Sequence, residues 1–206
     1  MAKLIVEVPA SHARGSIGGA PLAEATTRWP MCRTCGGPMQ FLAQLPLDEC
    51  GISELASRGQ HLLMFQCGND PGMCDEWDAN GGGNAALLVS DKTLQKLEAP
   101  PGPTLLDAES PITFQEYDDS RQDESPDDAY CQALEADRRV LGKVGGRPLW
   151  IQNDETPSCD CGAKMMFVAQ LENHGGGGIN FGDSGAGYAF ACPTCPRSAK
   201  FLFQCC

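Results

Sequence analysis

Eight of the twelve cysteines in this 206-residue chain fall into four close pairs, and that spacing constrains the fold more than any other feature. Cys32 and Cys35 form one Cys-x-x-Cys pair, and Cys192 and Cys195 form another. Cys159 and Cys161 are tighter, whereas Cys67 and Cys74 are looser. Zinc takes four thiolates in a tetrahedron, commonly as two pairs from two turns. Four pairs therefore predict two sites. The N-terminal run from Lys3 to Val8 reads as a short strand, without the basic and long apolar regions of a secretory leader. A cytoplasmic location is expected, where cysteine-rich chains use their thiols for metal rather than for disulfides.

Internal similarity decides which pairs belong together. Gly18-Gly19-Ala20-Pro21-Leu22 returns as Gly145-Gly146-Arg147-Pro148-Leu149, and the run from Cys35 to Leu45 returns from Cys161 to Leu171. Leu63-Met64-Phe65-Gln66-Cys67 matches Tyr188-Ala189-Phe190-Ala191-Cys192, at an offset that stays near 126. Each half reads as Gly-Gly-x-Pro-Leu, a cysteine pair, a strand, a loop, a strand, a second pair and a third strand. One site is thus assigned to Cys32, Cys35, Cys67 and Cys74, and the other to Cys159, Cys161, Cys192 and Cys195. Four cysteines close the coordination sphere, so both zinc ions are read as structural. Cys50 and Cys131 read as buried thiols in helical surroundings; the Cys205-Cys206 pair is given no role.

The predicted architecture is α+β: an internally duplicated, mostly antiparallel sheet with two zinc-ribbon-like knuckles of four cysteines each. Residues 1–98 form the first half, 99–140 a Pro-rich and acidic connection, and 141–206 the second half. Strands are expected at Leu4–Val8, Met39–Leu45, Leu62–Gln66, Ala85–Val89, Pro111–Tyr117 and Lys200–Gln204, by alternation and β-branched or aromatic content. Helices are expected over Asp48–Arg58, over Asp91–Leu97 with Ser90 as its cap, and from Pro126 to about Val140. Trp150–Asn153 reads as a packed strand edge. The Gly81–Gly83 and Gly175–Gly178 tracts read as flexible loop tips, since neither carries a phosphate-loop pattern.

The formal charge is −12, but it is not spread evenly. Eleven acids against one base lie between Asp107 and Asp137, leaving only −2 for the other 175 residues. An acidic patch of that kind repels nucleic-acid backbones and attracts basic proteins. Glu116, Asp118, Asp119, Asp123, Glu124, Asp127 and Asp128 are the candidate partner-binding residues. No apolar run reaches the roughly 18 to 20 residues that a membrane span needs.

No catalytic residue is predicted. Gly182-Asp183-Ser184-Gly185 copies the surroundings of a trypsin-like nucleophile, but that chemistry needs a histidine and an aspartate in matching context. His12, His61 and His174 all lie outside such a context and outside the cysteine pairs. A hydrolase using Ser184 is a distant alternative.

These residues resemble the bacterial YwqG-like family. The likeness lies in Gly18–Leu22 followed by Trp29-Pro30, in Pro38–Leu45, in Gly145–Gln152 and in Asn180–Gly185, and it covers most of the chain outside the acidic segment. It implies an α+β fold with internal duplication; the cysteine pairs depart from it, because many members lack them. The resemblance also implies a role, since relatives of this kind occur as immunity proteins beside secreted bacterial toxins, including nucleases. An acidic binder that neutralises a basic toxin follows as the expected function. The runner-up is an escort for a basic client, because Cys-x-x-Cys-Gly-x-Pro-Met also looks like the zinc-bearing chaperones of a ribosomal protein.

Overall fold

A computed structural model describes residues 2–10, 13–117, 129–173 and 178–206. Its elements run β1 (Lys3–Glu7), β2 (Gly15–Ile17), β3 (Leu22–Ala23), β4 (Gln40–Pro46), α1 (Ser53–Ala56), β5 (Gln60–Gln66) and β6 (Asn84–Ser90). They continue with β7 (Gln95–Lys96), β8 (Ser110–Glu116), α2 (Ala129–Ala136), β9 (Val140–Val144), β10 (Met166–Glu172), β11 (Ala186–Ala191) and β12 (Ala199–Gln204). Ten strands join one sheet in the order β12-β11-β10-β9-β1-β8-β2-β4-β5-β6, with every described pairing antiparallel. The mostly antiparallel sheet with two cysteine clusters is the expected one.

Strand alternation sorts the side chains onto two faces. Along β5, Leu62 and Met64 enter a central cluster with Phe201, Leu171 and Ile5, while Leu63 and Phe65 face a second cluster containing Cys32, Cys67 and Cys74. Along β11, Ala189 and Ala191 join the central cluster, while Tyr188 and Phe190 pack beside Cys159 and Cys192. The sheet curls around the central cluster until its end strands β6 and β12 come within 8 Å, Cα to Cα. Burying each Leu or Phe there contributes about 1.5–3 kcal/mol, so this shared core holds the two halves together. On the outer face α2 places Tyr130 against Leu4, Val6 and Val140, with the Lys143 ammonium 4.6 Å from the Tyr130 ring centre.

Several local features recur along the chain. A bulge between Phe41 and Ala43 in β4 is matched by one between Phe167 and Ala169 in β10. The Leu22 N–H donates to Gln44 Oε1 at 2.7 Å, and the Leu149 N–H donates to Gln170 Oε1 at 2.8 Å. Both Gly-Gly pairs are left-handed, with φ of 70 and 75° at Gly18 and Gly19, and 68 and 67° at Gly145 and Gly146. At Gly18 a Cβ would also lie 2.1 Å from the Ala108 carbonyl oxygen. Glycine is required there by conformation and by space.

The helical expectations need correction. Asp48–Arg58 forms a single helical turn at α1, because Gly51 takes a φ of 75° and breaks the run before it. Cys50 therefore lies in a turn, fully buried, with its thiol donating to the Pro46 carbonyl at 3.3 Å. Ser90 does cap Lys92, but only a three-residue 3-10 turn follows. Gln95 and Lys96 are extended instead, drawn into pairing with β3. The third helix ends at Ala136, where Asp137 accepts from the Arg139 N–H, and Val140 begins β9. Its expected start at residues 125–128 lies outside the described residues. Trp150–Asn153 is not a strand; the Trp150 ring packs on Tyr188 with centroids 4.5 Å apart.

Candidate metal centres

Both sites are built on the same plan. Cys32 and Cys35 sit on a hairpin tip closed by the Met31–Pro38 bridge, with the Cys32 N–H donating to the Gly37 carbonyl at 2.8 Å. Cys159 and Cys161 sit on a tip closed by the Ser158–Lys164 bridge, with the Cys159 N–H donating to the Ala163 carbonyl at 2.8 Å. The second tip is one residue shorter. Its Gly162 N–H reaches the Cys159 carbonyl three residues back, whereas the Gly36 N–H reaches Cys32, four back. Cys-x-Cys therefore takes the place of Cys-x-x-Cys.

The opposing pairs follow the middle strands. Cys67 directly follows β5, and its N–H donates to the Gly83 carbonyl at 2.7 Å. Cys74 is held in the following loop by the Glu76 carboxylate, which accepts from the N–H groups of Gly72 and Cys74. Gly83 lies beneath it so closely that a Cβ would be 2.1 Å from the Cys74 carbonyl oxygen. The Gly81–Gly83 tract is thus a packed floor to the knuckle rather than a free loop tip; 175–177 lie outside the described residues. In the second half Cys192 directly follows β11, and its N–H donates to the Ser198 carbonyl at 2.8 Å.

The four sulfurs of each set lie within 4.8 Å of one another. Cys35 and Cys67 are 3.6 Å apart, and Cys161 and Cys192 are 3.7 Å apart. A disulfide needs about 2.05 Å. A tetrahedron with metal–sulfur bonds of about 2.3 Å has edges of about 3.8 Å. The spacing thus fits a shared cation, and all eight cysteines stand where the sequence assigned them. Cys32, Cys67, Cys74, Cys159 and Cys192 are buried, while Cys35 and Cys161 are exposed.

Hydrogen bonds to sulfur support the anionic form. Asn69 Nδ2 lies 3.3 Å from the Cys67 sulfur and 3.6 Å from that of Cys35, and the Gly37 N–H donates to Cys35 at 3.4 Å. Led by that Gly37 bond, Cys35 falls to about 7. In the other set the Cys195 N–H donates to Cys192 at 3.2 Å, and the Thr194 hydroxyl lies 3.4 Å from Cys161 and 3.3 Å from Cys192. Burial pushes Cys192 up, but those donors outweigh it and bring it to about 6. Cys195, beside Cys161 and Cys192, is pushed up to about 12. Four neighbouring thiols ionise in steps, the first easily and the last with difficulty, unless a cation takes them all as thiolates. Sequence reasoning missed Asn69 and Thr194, although both stand within two residues of a clustered cysteine.

Between the halves, Arg58 donates to the carbonyls of Cys192 and Pro193 at 3.1 and 2.8 Å, and Gln60 Nε2 to that of Pro196 at 2.9 Å. The second knuckle is thereby clamped onto the first half. Of the expected partner residues, Glu116 is exposed at the end of β8. Asp118, Asp119, Asp123, Glu124, Asp127 and Asp128 lie outside the described residues. Ser184 is exposed with a φ of 48°, and its hydroxyl makes no hydrogen bond among the described residues. Among those residues no helix is long and apolar enough to cross a membrane.

A family profile described as "Domain of unknown function (DUF1963)" matches residues 15–194, spanning both halves of the sheet. This chain belongs to that family. The DUF1963 match encloses seven of the eight clustered cysteines and stops one residue short of Cys195. The chain is also similar to "Uncharacterized protein YpfL" of Salmonella typhimurium (strain LT2), at 36% identity over 66 residues. That stretch covers 32% of this chain and 15% of the relative's length.

Proposed function

We propose that this protein is a non-enzymatic, zinc-stapled acidic binder that neutralises a cognate bacterial toxin by occupying a basic surface on it. The carrying observation is the pairing of two all-sulfur sites with a concentrated negative charge. Four thiolates leave no open position for water or substrate, so the metals act on folding. Zinc is the cation of choice because four sulfurs at tetrahedral spacing favour it. The acids of the 107–137 segment supply long-range attraction, which accelerates encounter and fixes orientation. The toxin role, like the narrower YwqG-like assignment within DUF1963, rests on sequence resemblance. The matching bulges, glutamine contacts and knuckles support an origin by duplication.

The test is retention of partners from the native host at low and at high salt, identified by mass spectrometry. One stoichiometric basic protein is expected, released by salt and lost when Asp118, Asp119, Asp123, Asp127 and Asp128 become asparagine. Retention of nothing at low salt would contradict the reading.

A further inference from the structure

A cleft of about 600 Å³ opens between the two halves. One wall is the end of β5 with the loop from Cys67 to Trp77, and the other combines Gln152, Glu155, Asn180 and the end of β12. Three glutamines in these walls have their nitrogens engaged. Gln40 Nε2 donates to the Leu105 carbonyl at 3.2 Å, Gln66 Nε2 to that of Asn180 at 3.0 Å, and Gln152 Nε2 to that of Cys205 at 2.7 Å. A carbonyl only accepts, so each amide is fixed in orientation, with its oxygen and one N–H left over. Gln66 Oε1 is buried without a hydrogen-bond partner among the described residues. Glu155 gives one oxygen to Gln204 at 3.1 Å and keeps the other.

The charge in the walls is one-sided. Glu76 is 2% exposed, and its carboxylate is held by backbone N–H groups. No lysine or arginine lines the cleft. The field of Glu76 and Glu155 is therefore uncompensated within the walls. Besides the second N–H of each of those three glutamines, the side-chain N–H donors are Asn180 Nδ2, whose Oδ1 accepts from Gly182, and the indole of Trp77. Trp77 is 43% exposed, so its ring is available for stacking.

Free oxygens on Gln40, Gln152 and Glu155, two carboxylates with no lysine or arginine in the lining and an open aromatic ring suit a flat cation rich in donors. A guanidinium carries five N–H donors in a plane, is weakly hydrated and stacks on aromatic rings; an ammonium has three donors and a tighter hydration shell. We propose that the cleft between the halves binds a guanidinium group carried on an arginine. This deepens the reading of a basic protein partner and rests on it only for the source of the arginine, a side chain of that partner.

The test is an NMR titration of the metal-loaded protein with N-acetyl-arginine-N-methylamide, followed on the side-chain amides of Gln40, Gln66 and Gln152 and the Trp77 indole. Saturable shifts in the millimolar range are expected. The citrulline analogue, which keeps the shape and loses the charge, is expected to bind at least about tenfold more weakly. Glu155→Gln and Trp77→Ala should each weaken the arginine analogue while leaving the other amide resonances in place. Tighter binding of free L-arginine than of the blocked analogue would support the guanidinium site and assign it to a small molecule. No saturable shift, or equal binding of citrulline, would overturn the proposal. Retention of a basic partner alongside that failure would leave the binding-protein reading standing and remove only this cleft.

Discussion

Arg58 donates through both terminal nitrogens to the backbone of the second knuckle, reaching the Cys192 carbonyl from 134 positions away. A guanidinium clamps two carbonyls at once, which lysine cannot do. Arg58→Ala should therefore destabilise the protein by about 1–2 kcal/mol, and Arg58→Lys by nearly as much. Urea unfolding of both variants measures this; recovery of full stability by lysine would show that charge alone matters.

Asn69 and Thr194 touch sulfur rather than metal. Such outer contacts are typically worth about 10–100-fold in metal affinity. Asn69→Ala is expected to speed metal loss from the first site alone, and Thr194→Val from the second alone. Chelator competition with a colorimetric zinc reporter separates the two rates. Equal loss from both sites in either variant would contradict the assignment of donors.

Gly18 and Gly36 share a left-handed φ, of 70 and 71°, but differ in surroundings. A Cβ at Gly18 would meet the Ala108 carbonyl at 2.1 Å, whereas at Gly36 it meets nothing within 4 Å. Gly36→Ala should cost about 1–2 kcal/mol from conformation alone. Gly18→Ala should cost clearly more, as a lower midpoint in the same denaturation.

How much could be read beforehand follows the same division between local and long-range causes. The eight clustered cysteines were legible because a metal site favours short spacings and because Cys35–Leu45 and Cys161–Leu171 repeat one phrase. The strands were legible from alternation, although the bulge after Phe41 shifts its phase. The helices were overestimated because Asp48–Arg58 and Asp91–Leu97 have helical composition, but Gly51 and the pairing of β7 with β3 override it. Strand β9 was hidden behind the end of α2, and β2 has only three residues. Nothing local marks Arg58 as a partner of Cys192, since curling of the sheet brings them together.

His61 provides a pH test. Burial holds its imidazole below the ordinary value of 6.5, and Gln44 Nε2 lies 3.0 Å from its Nδ1. The native state then binds fewer protons than the unfolded chain as the pH drops below that value, so stability falls through the histidine's native pKa. The stability advantage of the wild type over His61→Gln is expected to be full near pH 7.5 and smaller at pH 5.5. Because metal loss in acid affects both proteins, only their difference is diagnostic. Parallel stability curves would contradict a histidine buried in its neutral form.

The central claim is that two all-cysteine metal centres staple the outer faces of one curled sheet. Native mass spectrometry of the protein purified without added metal or chelator tests it most directly, alongside single Cys35→Ser and Cys161→Ser variants. Two zinc ions per chain are expected, with each variant losing one. A folded, metal-free protein with the exposed Cys35 and Cys161 thiols freely reactive would contradict the account.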